Sequence, residues 1–293
     1  MHHAKVEVVV DGADQLGEVP LWCGRSRRLW WVDVRGPALQ SYDPASARHE
    51  CWRLPEGMLV GSFGFRESGG FILGTNAGFH AYTPGADPVL LVHPEPDQPQ
   101  NRLNDGRCDR RGRYWCGSMH ATRREPTGSL YRLDPDRSCH AQFDDVVIPN
   151  SINWSPDDRR MYFADSTRQI LFEFDFDIDD GVLGERRVFS DRRGRIGLPD
   201  GSAVDEDGCV WNAEYGGGVV VRYSPRGEVL GEIALPATQL TSCAFGGPRL
   251  DTLYVTSAVQ NLDAGQRAAQ PHAGALFAVQ VAARGLAESR FGG

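Results

Sequence analysis

The chain has 293 residues, a formal net charge of −8 at pH 7, and 41% hydrophobic against 24% charged residues. That balance describes a soluble globular protein with enough apolar side chains for a large core, and it excludes a disordered or collagen-like chain. Acids are spread along the sequence and Lys5 is the only lysine, so no basic footprint for nucleic acid or an anionic membrane exists. No apolar run approaches 18 residues and the first fifteen residues lack a signal-like apolar core, so the expected location is the cytoplasm. Seven cysteines, odd in number and without a CxxC pair, read as free thiols in a reducing compartment in preference to a disulfide framework or thiolate metal site.

In chain order, one pattern recurs: an aromatic or apolar strand after a turn, then a second strand ending near Asp or Pro. It occurs at 28–33 with 39–44, 70–75 with 78–82, 113–117 with 128–135, 160–165 with 169–174, 209–212 with 219–223, and 252–256 with 274–279. The central residues 30, 72, 115, 162, 211 and 254 are separated by 42, 43, 47, 49 and 43 positions. A four-stranded unit at that period predicts an all-β fold, a six-bladed β-propeller of four-stranded antiparallel blades forming one domain over 1–293. Chance self-similarity of turn-rich β sequence is the competing explanation, and six copies without a long helical-period segment weigh against it. The Pro-rich stretch 93–100 reads as a connection into the third unit and not as a linker.

A short strand precedes each aromatic strand. In a propeller this first strand lines the central channel, so its opening residues converge at one mouth. That expectation brings together Glu18, Asn104, Asp105, Asn150, Asp200 and Ser242, with Gly17, Gly61, Gly106 and Gly201 suiting close backbone approach. Carboxylates that close repel unless one is protonated or a cation lies between them. Hard divalent cations prefer such oxygen ligands, and open coordination positions suit Lewis-acid hydrolysis with a carboxylate as base. Singly, each residue has a plainer reading: Pro199-Asp200-Gly201 and Asn104-Asp105-Gly106 as turns, Glu18 as a solvated acid, Asn150 as a turn cap. Their coincidence at equivalent positions favours the site. No GxSxG, HExxH or P-loop motif occurs, nor a GxGxxG preceding a helix, and His120 and His140 are candidates by residue type only.

These residues resemble the regucalcin (senescence marker protein)/gluconolactonase family of sugar lactonases, in particular its bacterial pentonolactonase and gluconolactonase members. The likeness is carried by Leu16-Gly17-Glu18-x-Pro20-x-Trp22, by Arg102-x-Asn104-Asp105-Gly106-x-x-Asp109-x-x-Gly112-Arg113-Tyr114-Trp115, by Asn150-Ser151-Ile152-Asn153-Trp154, by Pro199-Asp200-Gly201-Ser202-x-x-Asp205-x-x-Gly208-x-x-Trp211, and by Thr241-Ser242-Cys243-Ala244-Phe245-Gly246-Gly247. The resemblance implies hydrolysis of an aldonolactone to its aldonic acid, with one divalent cation (calcium, zinc, magnesium, manganese or ferrous iron) held by Glu18, Asn150 and Asp200. Asp200 doubles as general base, and Arg102 and Asn104 contact sugar hydroxyls. Where animal members carry a substrate-contacting glutamate, an ungapped count from Asn104-Asp105-Gly106 falls on Thr122; Glu125 or His120 are the substitutes. The expected partner is a small sugar lactone only, with no nucleic acid and no membrane, for a monomer or small homo-oligomer. A phosphotriesterase-like metal hydrolase and a non-catalytic calcium-binding propeller are the alternative readings.

Overall fold

The computed structural model describes residues 5–122 and 124–293. The first four residues of the N-terminal segment and Arg123 of the 119–125 segment therefore lie outside the described residues. Six sheets, each built on four antiparallel strands, follow one another along the chain, and the fold is the six-bladed β-propeller expected from the repeat. Contacts group the blades into two compact units, one of residues up to Arg53 with Gly194–Glu288, the other of Leu54–Arg193 with Ser289–Gly293.

The first unit holds the first, fifth and sixth blades, whose inner strands are Gly17–Cys23, Leu198–Val204 and Leu240–Gly246. The sixth blade takes its outermost strand, Val6–Val10, from the start of the chain, paired antiparallel to Leu276–Gln280. Between neighbouring blades the apolar faces meet: Trp22, Leu29, Trp31 and Tyr42 pack on Tyr254 and Leu276, and Trp211 and Val220 on Cys243, Phe245 and Phe277. A helix of one and a half turns, Ala264–Ala269, interrupts the sixth blade. Its start is fixed by a capping box, Asp263 accepting from the Gln266 amide at 2.8 Å and the Gln266 side chain accepting from the Asp263 amide at 3.0 Å. No helix among the described residues is long and apolar enough to cross a membrane.

The second unit holds the second, third and fourth blades, with inner strands Val60–Arg66, Asn101–Cys108 and Pro149–Trp154. The pair Arg290–Phe291 adds a fifth, parallel strand to the second blade, and Phe291 is wholly buried against Ile72, Phe79, Leu103 and Tyr114. Trp115, Leu130 and Val146 meet Trp154, Met161 and Phe176 between the third and fourth blades.

Two of the sequence motifs prove to be blade scaffolding. In Asp109-x-x-Gly112-x-x-Trp115 the buried carboxylate accepts from the amides of Arg111 and Arg113, from Arg113 Nε at 2.5 Å and from Trp115 Nε1 at 2.9 Å. Asp205 repeats this with the amides of Asp207 and Cys209, Trp211 Nε1 at 2.9 Å and Arg222 Nη2 at 2.9 Å. Gly112 and Gly208 take φ of +78° and +80°, a left-handed turn that a side chain would strain.

Candidate active site

Every inner strand is bulged at the same place. Its ladder to the second strand slips between Glu18 and Leu21, Val60 and Ser62, Leu103 and Gly106, Asn150 and Asn153, Pro199 and Ser202, and Leu240 and Ser242. A bulge bends its strand and re-aims the adjacent side chains, and bulges gather next to active sites. The register makes Glu18, Gly61, Asn104, Asn150, Asp200 and Thr241 equivalent, each directly following the residue paired with Asp33, Thr75, Ser118, Asp165, Glu214 and Ser257 respectively. Glu18 and Asn150 are each followed by a non-glycine residue in the left-handed region, Val19 at φ +50° and Ser151 at φ +60°. For a β-branched valine that is a strained conformation, held only where the surroundings over-determine it.

Within the first unit, the inner strand of the sixth blade packs against those of the first and fifth. Thr241 Oγ1 donates to the Gly17 carbonyl, and a Cβ on Gly201 would stand only 2.1 Å from Ser242 Oγ, so glycine is required for that approach. Glu18 is half-buried and Asp200 is 7% exposed. Burial pushes the Tyr215 hydroxyl above its ordinary range, and the negative charges of Asp200 and Glu18 add smaller pushes the same way. Tyr215 donates to Gln239 Oε1 and accepts from Gln260 Nε2 at 3.4 Å. In the sixth blade Thr241 directly follows the residue paired with Ser257, and Ser242 faces Thr256 as Glu18 faces Val32 and Asn150 faces Ala164.

Within the second unit, polar side chains form a chain. Arg102 Nη1 donates to Asn104 Oδ1 at 2.7 Å, and Asn104 Nδ2 donates to Asn150 Oδ1 at 3.0 Å and to the Pro149 carbonyl at 2.8 Å. Asn150 Nδ2 donates to Ser166 Oγ at 2.8 Å. These bonds fix the Asn150 carboxamide with its oxygen on the Asn104 side, and that oxygen has a second lone pair the Asn104 bond does not use. Asn104 spends both amide hydrogens on the fourth blade, so only its oxygen can serve a sugar hydroxyl. Asp105 faces the other way. It is half-buried, accepts from the Ile152 amide at 3.0 Å, and burial raises its carboxyl above the usual carboxylate range. It ties the third blade to the fourth and is not part of the Arg102–Asn104–Asn150 chain. His120 is 8% exposed at the end of its strand, paired with Asn101, and its Nδ1 accepts from the Thr122 amide at 3.2 Å. Glu125 and Thr122 lie exposed on the 121–127 connection, where the Glu125 carbonyl accepts from the Thr127 amide.

Among the described residues no three His, Cys, Asp or Glu side chains cluster as a metal cage. Carboxylate and carboxamide oxygens such as those of Glu18, Asp200 and Asn150 are donors of the kind that hard cations prefer. His140 is exposed on an outer strand beside Asp134 and belongs to neither group. Sequence reasoning missed Tyr215, Gln239 and Ser166, which carry no motif of their own; the only signal was the position of Tyr215 beside the Gly216-Gly217-Gly218 turn.

The family described as the SMP-30/Gluconolactonase/LRE-like region matches residues 16–259. A 6-deoxy-6-sulfogluconolactonase of Pseudomonas putida is 37% identical over 290 residues, covering 98% of this chain and 99% of that protein. A pentonolactonase of Haloferax volcanii is 34% identical over 289 residues, covering 96% of each. The crystal structure of a calcium-binding protein, regucalcin, from Agrobacterium tumefaciens superposes with a TM-score of 0.93 at 30% identity, covering 98% of this chain and 97% of that one.

Proposed function

The chain belongs to the SMP-30/gluconolactonase family, and from that premise we propose that it hydrolyses a sugar lactone, an aldonolactone, to the corresponding aldonic acid with the help of one divalent cation. The observation that carries the reading is the equivalent placement of Glu18, Asn150 and Asp200, each directly after the residue that pairs with a buried acid at the bulge of its inner strand. Lactonase relatives that match nearly end to end support the substrate class.

In this reading Glu18, Asn150 and Asp200 are the ligands. A cation bound there supplies Lewis acidity, polarising the lactone carbonyl and lowering the pKa of water. Asp200, buried at the bulge, takes the proton of the attacking water as general base. Arg102 and the Asn104 oxygen hold ring hydroxyls of the sugar, with Arg102 aligned by its own bond to Asn104. His120, Glu125 and Thr122 are the residues from which a further hydroxyl contact is drawn, and they set preference among xylono-, arabino-, galactono- and gluconolactone.

The test is cation dependence. Protein purified without chelator is analysed for bound metal, stripped, and assayed on an aldonolactone panel before and after calcium, manganese or zinc is returned. Activity lost on stripping and restored by one of these cations is expected. Full activity in the stripped protein contradicts the metal role, and no activity on any lactone in either state contradicts the reading as a whole.

A further inference from the structure

The bulge register exposes a division among the blades. In the three blades that carry the proposed ligands, the residue opposite the one preceding the ligand is an acid: Asp33 faces Gly17, Asp165 faces Pro149, and Glu214 faces Pro199. In the other three blades the same position is a hydroxyl residue: Thr75 faces Val60, Ser118 faces Leu103, and Ser257 faces Leu240. All six are buried.

Asp33 and Asp165 both bond the backbone ahead of the ligand, and Asp33 also accepts from the amides of Arg35 and Gly36 in its own turn. Asp33 accepts from the amides of Gln15 and Leu16, each at 3.0 Å, on the segment that leads into Glu18. Asp165 accepts from the amides of Val147 at 3.1 Å and Ile148 at 3.3 Å, the segment that leads into Asn150. Glu214 sets its Oε2 against Gly197, at the same distance ahead of Asp200; a Cβ on Gly197 would lie 3.0 Å from that oxygen. The hydroxyls bond within their own blade's next hairpin, and Ser118 Oγ in addition donates to Glu95 Oε1 at 2.6 Å, on the segment ahead of its inner strand. Thr75 Oγ1 donates to the Gly78 carbonyl, Ser118 Oγ accepts from the Ser129 amide, and Ser257 Oγ donates to the Ala275 carbonyl.

We infer that Asp33 and Asp165 are positioning residues for the cation site, each carboxylate fixing the backbone from which Glu18 or Asn150 departs. This rests on the proposed function and assigns it a supporting layer. Two physical reasons favour a carboxylate over a hydroxyl here. It has two oxygens to accept from successive backbone amides, which a hydroxyl cannot do with one, and charge-assisted bonds hold that backbone more firmly. Ligands so held lose less freedom on binding a cation, and outer partners of metal ligands carry a measurable part of the affinity.

The experiment is calorimetric titration of calcium, manganese and zinc into the metal-free full chain. The variants are Asp33→Asn and Asp165→Asn, compared with Thr75→Val and Ser257→Ala, and melting temperature is recorded for each. The acid variants are expected to bind the cation about 10-fold or more weakly, with the hydroxyl variants unchanged. A merely structural role would lower melting temperature in both sets without separating their affinities. Should an acid variant not fold, hydrogen exchange in the native protein gives the answer: cation addition slows the amides of Gln15, Leu16, Val147 and Ile148 and leaves those of Ala77 and Ser129 as they were. Native cation binding with unchanged acid variants, with equal losses in both sets, or with exchange slowed equally everywhere overturns the inference alone. A native chain that binds none of these cations overturns it together with the function it rests on.

Discussion

Replacing Asp205 by asparagine keeps its shape and removes its charge, and the structure sets the cost. One oxygen of Asp205 accepts from the amides of Asp207 at 3.1 Å and Cys209 at 2.8 Å; the other accepts from Trp211 Nε1 and Arg222 Nη2, both at 2.9 Å. An asparagine must turn its NH2 towards one of these two donor pairs, whichever way it is oriented. Facing the Trp211 and Arg222 pair, it forfeits one neutral bond worth about 1 kcal/mol and one charge-assisted bond worth about 2 kcal/mol. The carboxylate is 0% exposed and the Arg222 side chain 31% exposed, so water rehydrates part of the guanidinium but nothing of the indole. The net loss is about 3 kcal/mol, which for a chain of this size lowers Tm by roughly 6 °C. Asp109→Asn is an internal comparison: its partners are of the same kinds, but the Arg113 side chain is 7% exposed and cannot turn to water, so its loss is at least as large. Urea and thermal unfolding of both variants measure this. A loss under about 1 kcal/mol in Asp205→Asn, or a clearly smaller loss in Asp109→Asn, would refute the account of these turns.

Two further outcomes are expected. Glu18→Gln removes one anionic ligand and weakens cation binding by about 10-fold or more in calorimetry, with Tm little changed; native affinity in this variant would remove Glu18 from the ligand set. Asp14 accepts from Trp31 Nε1 and Gln40 Nε2, both at 2.8 Å, yet burial pushes its carboxyl up to about 6. Because the folded value lies above the ordinary 3.8, this group's contribution to stability is fully present below about pH 4 and is lost as pH rises through 6. Between pH 4.5 and 7.5 the native protein should lose on the order of 2 kcal/mol more than Asp14→Asn, and parallel pH curves for the two would contradict that.

The blade repeat was legible because each second strand carries an aromatic residue behind a turn, and Asp109 and Asp205 show why the spacing from aspartate to tryptophan is kept: the two side chains bond one another. What the sequence hid is register and long-range pairing. Neighbouring Asn104 and Asp105 looked interchangeable, and only the bulge decides that the first joins Arg102 and Asn150 while the second accepts from the Ile152 amide. The strand Val6–Val10 finds its partner at the far end of the chain, and Arg290–Phe291 contributes only two residues, so neither has a local signal strong enough to assign. The helix Ala264–Ala269 is too short to show a period, although its capping residues Asp263 and Gln266 stood at the right spacing. Asp33, Asp165 and Glu214 each sit three positions past an aromatic that was already aligned, and their common place becomes visible once the ladder shows which residue each one faces.

The central claim is that Asp200 performs lactone hydrolysis, and proton release from an aldonolactone panel by the native protein and by Asp200→Ala tests it most directly. The account predicts native rates well above spontaneous hydrolysis on at least one lactone and rates at that background for Asp200→Ala, with the variant still folded by circular dichroism. Native-like hydrolysis by folded Asp200→Ala would contradict it.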